Sequence, residues 1–549
     1  MIDAQKIGKA RTYLPIALLV IACIPKLAGV ELPIVDSFHI GEAFAAAITL
    51  IAKPGSSPLT IHGGWDFIPA LVSRQIAGEE GYLYPTIYFT ISILPVMAAV
   101  LFWCFLFRLF KDRQDLNATV FLSMAAILAP SLVGIRDVFL IISCWVLYEL
   151  LFSRSQLDAS KWSIALAMAT SMGALWSFDR GIVATTTVLG TLLTATYLRH
   201  NTYYIAVICF SVLSILLLIL LFRLSGTIDY LANVEFLFRT SSQWRHPLSI
   251  QRAMGSGLVI LNLIFTIGAT QRGRSSLSDP NFTPFWLGMS ICSLLMVRIA
   301  VNRADMTHLH MAMWAPLLLT VYSAREEIRH NKPRRGITTG LLISVCASIV
   351  FALNPESYIN FLAVIFASAM LWSKGLQQER YFEIFFTCLA IWTLFVSTIT
   401  PLLSLASTIK RVVDGRLVTP VEYILKGVPY ASIADAGNTW VAGAINDSGS
   451  ECILDMTNSG IINAGTGKPT CTDFSYPVYA TESYEEELLR QAKEAQAEII
   501  VYSTENWQYR IDGKDMRTRF PRLDQYLRQA YPQEECREKY CIRSKESKD

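Results

Sequence analysis

Charge is scarce in this chain. Asp, Glu, Lys and Arg make up only 17% of its 549 residues, against roughly 25% in soluble domains. That shortage excludes a soluble globular protein over most of the length. The net charge is only +3 and the basic residues sit mainly in short loops between apolar runs, so nothing points to nucleic acid. Histidine is rarer still, and none of the seven lies in the tail after residue 404. The tail's four cysteines therefore lack the partners of an ordinary zinc site. No internal repeat is visible, which weakens an inverted-repeat transporter reading. No small-residue cleavage site follows the basic start MIDAQKIGKARTYLP, so the first apolar run reads as a retained helix with its N-terminus in the cytoplasm.

Apolar sequence is what the chain has in quantity, at 53% of residues. A membrane-spanning helix needs roughly 20 of them in a row. About thirteen segments qualify as candidates: 13–33, 85–107, 117–134, 137–153, 162–178, 181–198, 203–222, 254–270, 284–301, 309–323, 336–353, 356–373 and 381–403. With the N-terminus inside, basic residues such as Arg108, Lys161, Arg199, Arg272, Arg334 and Lys374 fall in cytoplasmic loops, as the positive-inside rule requires. The outside turns hold Arg136, Arg180 and Arg303, each within two residues of an aspartate. An odd span count puts the tail outside. The expected fold is a polytopic α-helical membrane domain over 1–403, followed by a small α/β domain over 404–549 on the periplasmic side. In that domain 498–503 reads as a buried strand between helices at 482–496 and 521–531, with 430–433 and 452–455 as further strand candidates. Cys452, Cys471, Cys536 and Cys541 are expected to form disulfides in an oxidising compartment. The other seven cysteines lie in apolar runs and read as small core residues.

Five polar sets punctuate the outside ends of the apolar runs: Asp36, His39 and Glu42; His62-Gly-Gly-Trp65-Asp66; Arg136-Asp137; Asp179-Arg180; and Arg303, Asp305, His308 and His310. Ionisable groups at such positions are costly unless they pair or work. Asp36, His39 and Glu42 fall roughly on one face of a continuing helix. A carboxylate partly desolvated there suits a general base; a helix cap with interfacial polar groups is the other reading. In the 62–66 stretch the glycines let the backbone approach a ligand and the Trp65 indole can stack on a sugar face; a tight turn with a satisfied Asp66 explains it equally well. The Arg136-Asp137 and Asp179-Arg180 pairs are phosphate ligands or ion pairs tying two turns together. Arg303, His308 and His310 suit a phosphate leaving group. No cofactor is demanded by these residues, and a divalent metal held by Asp36, Asp66, Asp305 and the histidines stays open, since no spacing is diagnostic. The outside loop 34–84 also carries Ala43–Ile51, too short to span and expected along the interface.

These residues on this topology resemble the GT-C class of integral-membrane glycosyltransferases, in which an Asp stands in the first long outside loop and a soluble domain often follows the helices. The resemblance implies a polyprenyl-phosphate sugar donor, a glycan, lipid or protein acceptor, and transfer with inversion at the outer face of a bacterial cytoplasmic membrane. It implies Asp36 as the catalytic base, supported by His39 and Glu42, and Arg303, His308, His310, Arg136 and Arg180 on the donor phosphate. His62, Trp65, Asp66, Asp179 and Asp305 are left for the sugar or acceptor. The layout is similar to that of bacterial arabinofuranosyltransferases. Trp440, Trp507 and Tyr509 in the tail are candidate glycan platforms or ordinary aromatics. Two other functions remain open: a polymerase or ligase of lipid-linked glycans, and a transporter of lipid or solute. The first expects essential arginines in a large late outer loop, the second ionisable groups near helix midpoints.

Overall fold

A computed structural model of the chain describes residues 4–34, 38–110, 116–243, 249–273, 282–303, 306–329, 399, 402–457, 459–495, 497–503 and 514–545. The spans expected at 336–353, 356–373 and most of 381–403 lie outside the described residues, as do Asp36, Asp305, Trp507 and Tyr509.

The chain is a polytopic helical membrane protein with a small α/β domain at its C-terminal end. Among the described residues four helices are long and apolar enough to cross a membrane: Leu83–Leu109, Phe178–Arg199, Tyr203–Leu224 and Thr283–Val301. Tyr203–Leu224 stands at the edge of the bundle, with Leu213, Leu216, Leu217, Leu220 and Leu221 exposed, as a lipid-facing helix must be when its surroundings are hydrocarbon. Thr283–Arg303 packs along Phe178–Arg199, and Ala4–Leu27 along Leu116–Leu132. Their shared core is apolar throughout, centred on Phe102, Phe105, Tyr148, Phe285, Trp314 and Tyr322.

Two segments expected as antiparallel spans behave differently. Phe121–Leu132 and Ile135–Leu151 meet at 108° across the turn at 133–134. The helical part Val138–Leu151 has 14 residues and so reaches only about 21 Å, short of the roughly 30 Å of a bilayer core. Most of its residues are buried among neighbouring helices, and it is long and apolar enough to cross a membrane only together with Phe121–Leu132, across the bend.

The tail sheet has the strand order β3-β4-β6-β5, from Leu454–Asp455 (β3), Ile499–Ser503 (β4), Gln533–Arg537 (β5) and Tyr540–Ser544 (β6). β3 and β4 are parallel, the other pairings antiparallel. Glu485–Ala495 and Pro521–Ala530 pack on it as amphipathic helices, in the places expected for them. Tyr430–Ile433 is a helical turn instead of a strand: Pro429 precedes it, and a fixed proline φ favours a helix start. The cysteines pair as Cys452–Cys471 and Cys536–Cys541.

The tail does not stand apart from the membrane part. Val30–Glu31 (β1), just after the first helix, pairs antiparallel with Leu417–Val418 (β2). Leu59 bridges to Phe474, and Ile34 N–H donates to the Ile433 carbonyl at 2.9 Å. Between them lies the helix Phe38–Ala52, whose residues Ala43 to Ile48 are buried on every face. The sequence expectation of an interfacial segment is corrected here. A helix apolar all round needs cover on all sides, and the tail helix Ile461–Thr466 and the loop helix Ile68–Gly81 provide it.

Candidate functional site

The first outside loop builds the centre of the site. Glu42 sits one turn into Phe38–Ala52 and points toward the turn 62–66. There His62 Nδ1 lies 3.0 Å from Asp66 Oδ1 and 3.3 Å from Glu42 Oε2, while the His62 backbone N–H donates to Asp66 Oδ2 at 3.2 Å. All three side chains are buried. Gly63 makes the turn possible: its φ is +126°, and a Cβ there would stand 2.9 Å from the Trp176 carbonyl oxygen. Only glycine fits both the dihedral and the space. Trp65 is also buried, its ring 5.0 Å from that of His62 and packed with Leu94 and Trp176. The indole is thus enclosed, not an open platform.

Burial and the neighbouring Asp66 push the Glu42 carboxyl up to about 8, a rise that His62 only partly opposes. Burial opposes charge on His62, but Asp66 and Glu42 outweigh it and raise the imidazole above its ordinary value. The result is a buried carboxyl that holds its proton far more tightly than usual beside an imidazole shifted the same way by its two carboxyl neighbours. Glu42 Oε1 is buried with no hydrogen-bond partner among the described residues, while Oε2 accepts from the Tyr479 hydroxyl at 3.4 Å. The ligand atoms of Glu42, His62 and Asp66 all lie within 4.8 Å of one another. A carboxylate–imidazole–carboxylate set of this kind can hold a divalent cation, which would satisfy the bare Oε1.

The second layer comes from the ends of two helices. The His62 carbonyl accepts from Phe178 N–H at 2.7 Å, which ties the loop to the start of Phe178–Arg199. Asp179 follows. Its carboxylate accepts from Ser177 Oγ at 2.7 Å, Arg180 Nη1 at 3.2 Å and Arg136 Nη1 at 3.3 Å. Arg180 Nε donates to Asp137 at 2.7 Å, and Asp137 also accepts from Gly134 N–H at 2.9 Å. Arg180 and Asp137 are almost fully buried, at 4% and 1% exposed, whereas Arg136 is 16% exposed. Arg136 Nη2 lies 3.3 Å from His308 Nε2. Arg180 is therefore taken up in fastening two turns together. Arg136 and His308 form the more open edge, with donors suited to an anion.

The structure thus brings together Glu42, His62, Trp65, Asp66, Arg136, Asp179, Arg180 and His308. His310 is half-buried on the short helix Met306–Met311. His39 lies in the first turn of Phe38–Ala52 and Arg303 ends Thr283–Arg303; the side chains of both are outside the description, as are Asp36 and Asp305 altogether. Tyr479 and Ser177 join the site unannounced. Ser177 carried a weak signal as Asp179's near neighbour, but Tyr479 is 437 residues from Glu42 and carried none. In the tail, Trp440 packs beside Val441 and Ile445 with the Arg537 guanidinium 5.0 Å from its ring. At the far end of Phe38–Ala52, Lys53, Glu451, Asp473, Arg490 and Gln491 line a polar groove of about 860 Å³.

No protein-family model matches the chain, and no curated protein sequence does. Among solved structures it is similar to ArnT from Cupriavidus metallidurans bound to undecaprenyl phosphate, with a TM-score of 0.44, 11% identity, and coverage of 100% of this chain and 99% of that one. It is likewise similar to ArnT from Cupriavidus metallidurans in the apo state, with a TM-score of 0.47, 12% identity and 98% of each chain covered.

Proposed function

We propose that this protein is a membrane glycosyltransferase that moves a sugar from a polyprenyl-phosphate donor to a glycan, lipid or protein acceptor, with inversion, on the outer face of a bacterial cytoplasmic membrane. The observation that carries the reading is the joining of two chemistries through one hydrogen-bonded turn. A buried acid–imidazole–acid set (Glu42, His62, Asp66) stands against an arginine–histidine edge (Arg136, His308). Glycosyl transfer from a lipid phosphate needs a carboxylate for the acceptor's proton and cations for the leaving phosphate.

In the proposed reaction Asp36, six residues before Glu42 in the chain, takes the proton of the acceptor hydroxyl. The hydroxyl oxygen attacks the anomeric carbon, the bond from that carbon to the phosphate oxygen breaks, and polyprenyl phosphate leaves as an anion. Arg136, His308, Arg303 and His310 receive that anion. Glu42, His62 and Asp66 hold the loop that presents Asp36 and His39, and keep a proton within the site. Arg180 positions Arg136 by fixing Asp179 between them. Domain 404–549 is proposed to meet the acceptor, with the polar groove as its entry. An arabinofuranosyl donor is the first to try, on the likeness in layout noted above.

The test is transfer from synthetic polyprenyl-phosphate sugars by the purified protein in vesicles. Wild type is expected to turn over; Asp36→Asn and Arg136→Ala, each with unchanged melting, are expected to lose most activity. Equal turnover by Asp36→Asn would remove it as the base. Transfer only from lipid-diphosphate glycans would replace the reading with a polymerase or ligase.

A further inference from the structure

The tail carries an apolar face on the short helix Pro420–Lys426. Val421, Ile424 and Leu425 are 65%, 77% and 76% exposed. Their spacing of i, i+3 and i+4 puts them on one face. The opposite face holds Tyr423, which stacks on Tyr84 with centroids 4.7 Å apart and donates to the Gly81 carbonyl. Tyr84 in turn donates to the Val418 carbonyl at 2.7 Å and stacks on Tyr88. Both of these tyrosines belong to the first turns of Leu83–Leu109, one of the membrane-crossing helices. The short helix is therefore fastened to the end of that span, whose Tyr84 and Tyr88 have the terminal place at which aromatic side chains collect in membrane helices.

Three large aliphatic side chains grouped on seven residues are unfavourable in water and mark a contact surface. The same span exposes Ile91 and Met97 farther along, as a lipid-facing helix does. Lys410 and Arg416 are exposed nearby and complement lipid phosphates, while Lys426 pairs with Glu422 at 3.2 Å. We propose that Pro420–Lys426 is a membrane-seating helix: Val421, Ile424 and Leu425 enter the acyl boundary of the outer leaflet, and the tail rests on the lipid surface through them. This holds whatever reaction the site performs.

The test uses the full chain in vesicles of phosphatidylglycerol and phosphatidylethanolamine. The photoreactive residue benzoylphenylalanine replaces Ile424 or Leu425, and in a control Glu451, an exposed tail residue. Lipid-mass adducts are expected at 424 and 425 at several-fold the level at 451. Equal yields at all three positions, or adducts to a second copy of the chain, would overturn the proposal. In a second variant, I424E/L425E, melting in detergent is expected to stay at the wild-type value while cleavage near Gly427 in vesicles rises several-fold. An unchanged cleavage rate would count equally against it.

Discussion

Glu42 sets how the site answers to pH. Its carboxyl is raised from an ordinary 4.5 to about 8 by burial and Asp66. Below 4.5 the folded and unfolded chains both carry this proton. Between 4.5 and about 8 the unfolded chain releases it and the folded chain keeps it, so folded stability falls as pH rises through that window. The raised imidazole of His62 acts in the same direction above its ordinary 6.5. The wild-type melting temperature is therefore expected to drop across this range, and Glu42→Gln to flatten the drop; an identical slope in both would refute the account. Arg136 and Asp137 make a contrasting pair. Asp137→Ala leaves Arg180 buried and half-paired, and is expected to cost about 3–5 kcal/mol in unfolding measurements. Arg136→Ala, at the more open edge where Asp179 keeps Arg180 and Ser177 as partners, is expected to cost less stability than Asp137→Ala while removing most transfer. Glu42, His62, Asp66, Arg136 and Asp179 were legible in the sequence because ionisable residues stand out at the ends of apolar runs. Tyr479 was not, because nothing local marks a tyrosine whose hydroxyl finds its acceptor from the far end of the chain.

At the scale of elements, the helix Phe38–Ala52 organises the outer half of the molecule. It meets the tail backbone to backbone through Gly41 and Gly460. A Cβ on Gly41 would lie 2.1 Å from the Ser459 carbonyl oxygen, and Gly460, at φ +53°, would press one onto Gly41. Gly41→Ala is expected to destabilise the protein by at least about 1–3 kcal/mol and to open the tail to protease; a melting curve and digestion pattern like wild type would show that the contact yields. The length and apolarity of this helix were readable. Its burial was not, because a short apolar run reads the same whether lipid or protein covers it. The tail shows a similar limit. The hairpin of β5 and β6 was missed because β5 (QEECR) is exposed at every residue, so no alternation marks it as a strand.

On the scale of the whole molecule, the first outside loop and the tail share one body of contacts. Ala45, Ile61 and Phe236 of the outside loops join Phe474, Tyr479 and Ile500 in one core, and β1 and β2 close the same body from its other side. The boundary expected near 404 divides the chain by composition, but packing crosses it. Cys452–Cys471 braces this body by closing a segment of 19 residues, a loop length for which a cross-link stabilises by about 3 kcal/mol. Replacing both with serine is expected to lower melting accordingly and to weaken transfer, because Cys471 follows Thr470, whose hydroxyl meets that of Thr49 on the central helix. Unchanged melting of that variant would show that the core holds the loop unaided.

The sequence by itself determined the membrane character, the placing of polar residues at helix ends, the oxidised tail cysteines and, in the tail, the strand Ile499–Ser503 with the helices on either side of it. These follow from composition and local periodicity, which a linear reading captures. Tertiary structure alone decided that Glu42 is shut in with His62 and Asp66, that Arg180 is consumed by Asp137 and Asp179, and that the tail covers the first loop. Each of these depends on which distant segment supplies the missing surface, and so on long-range packing that no stretch of sequence contains.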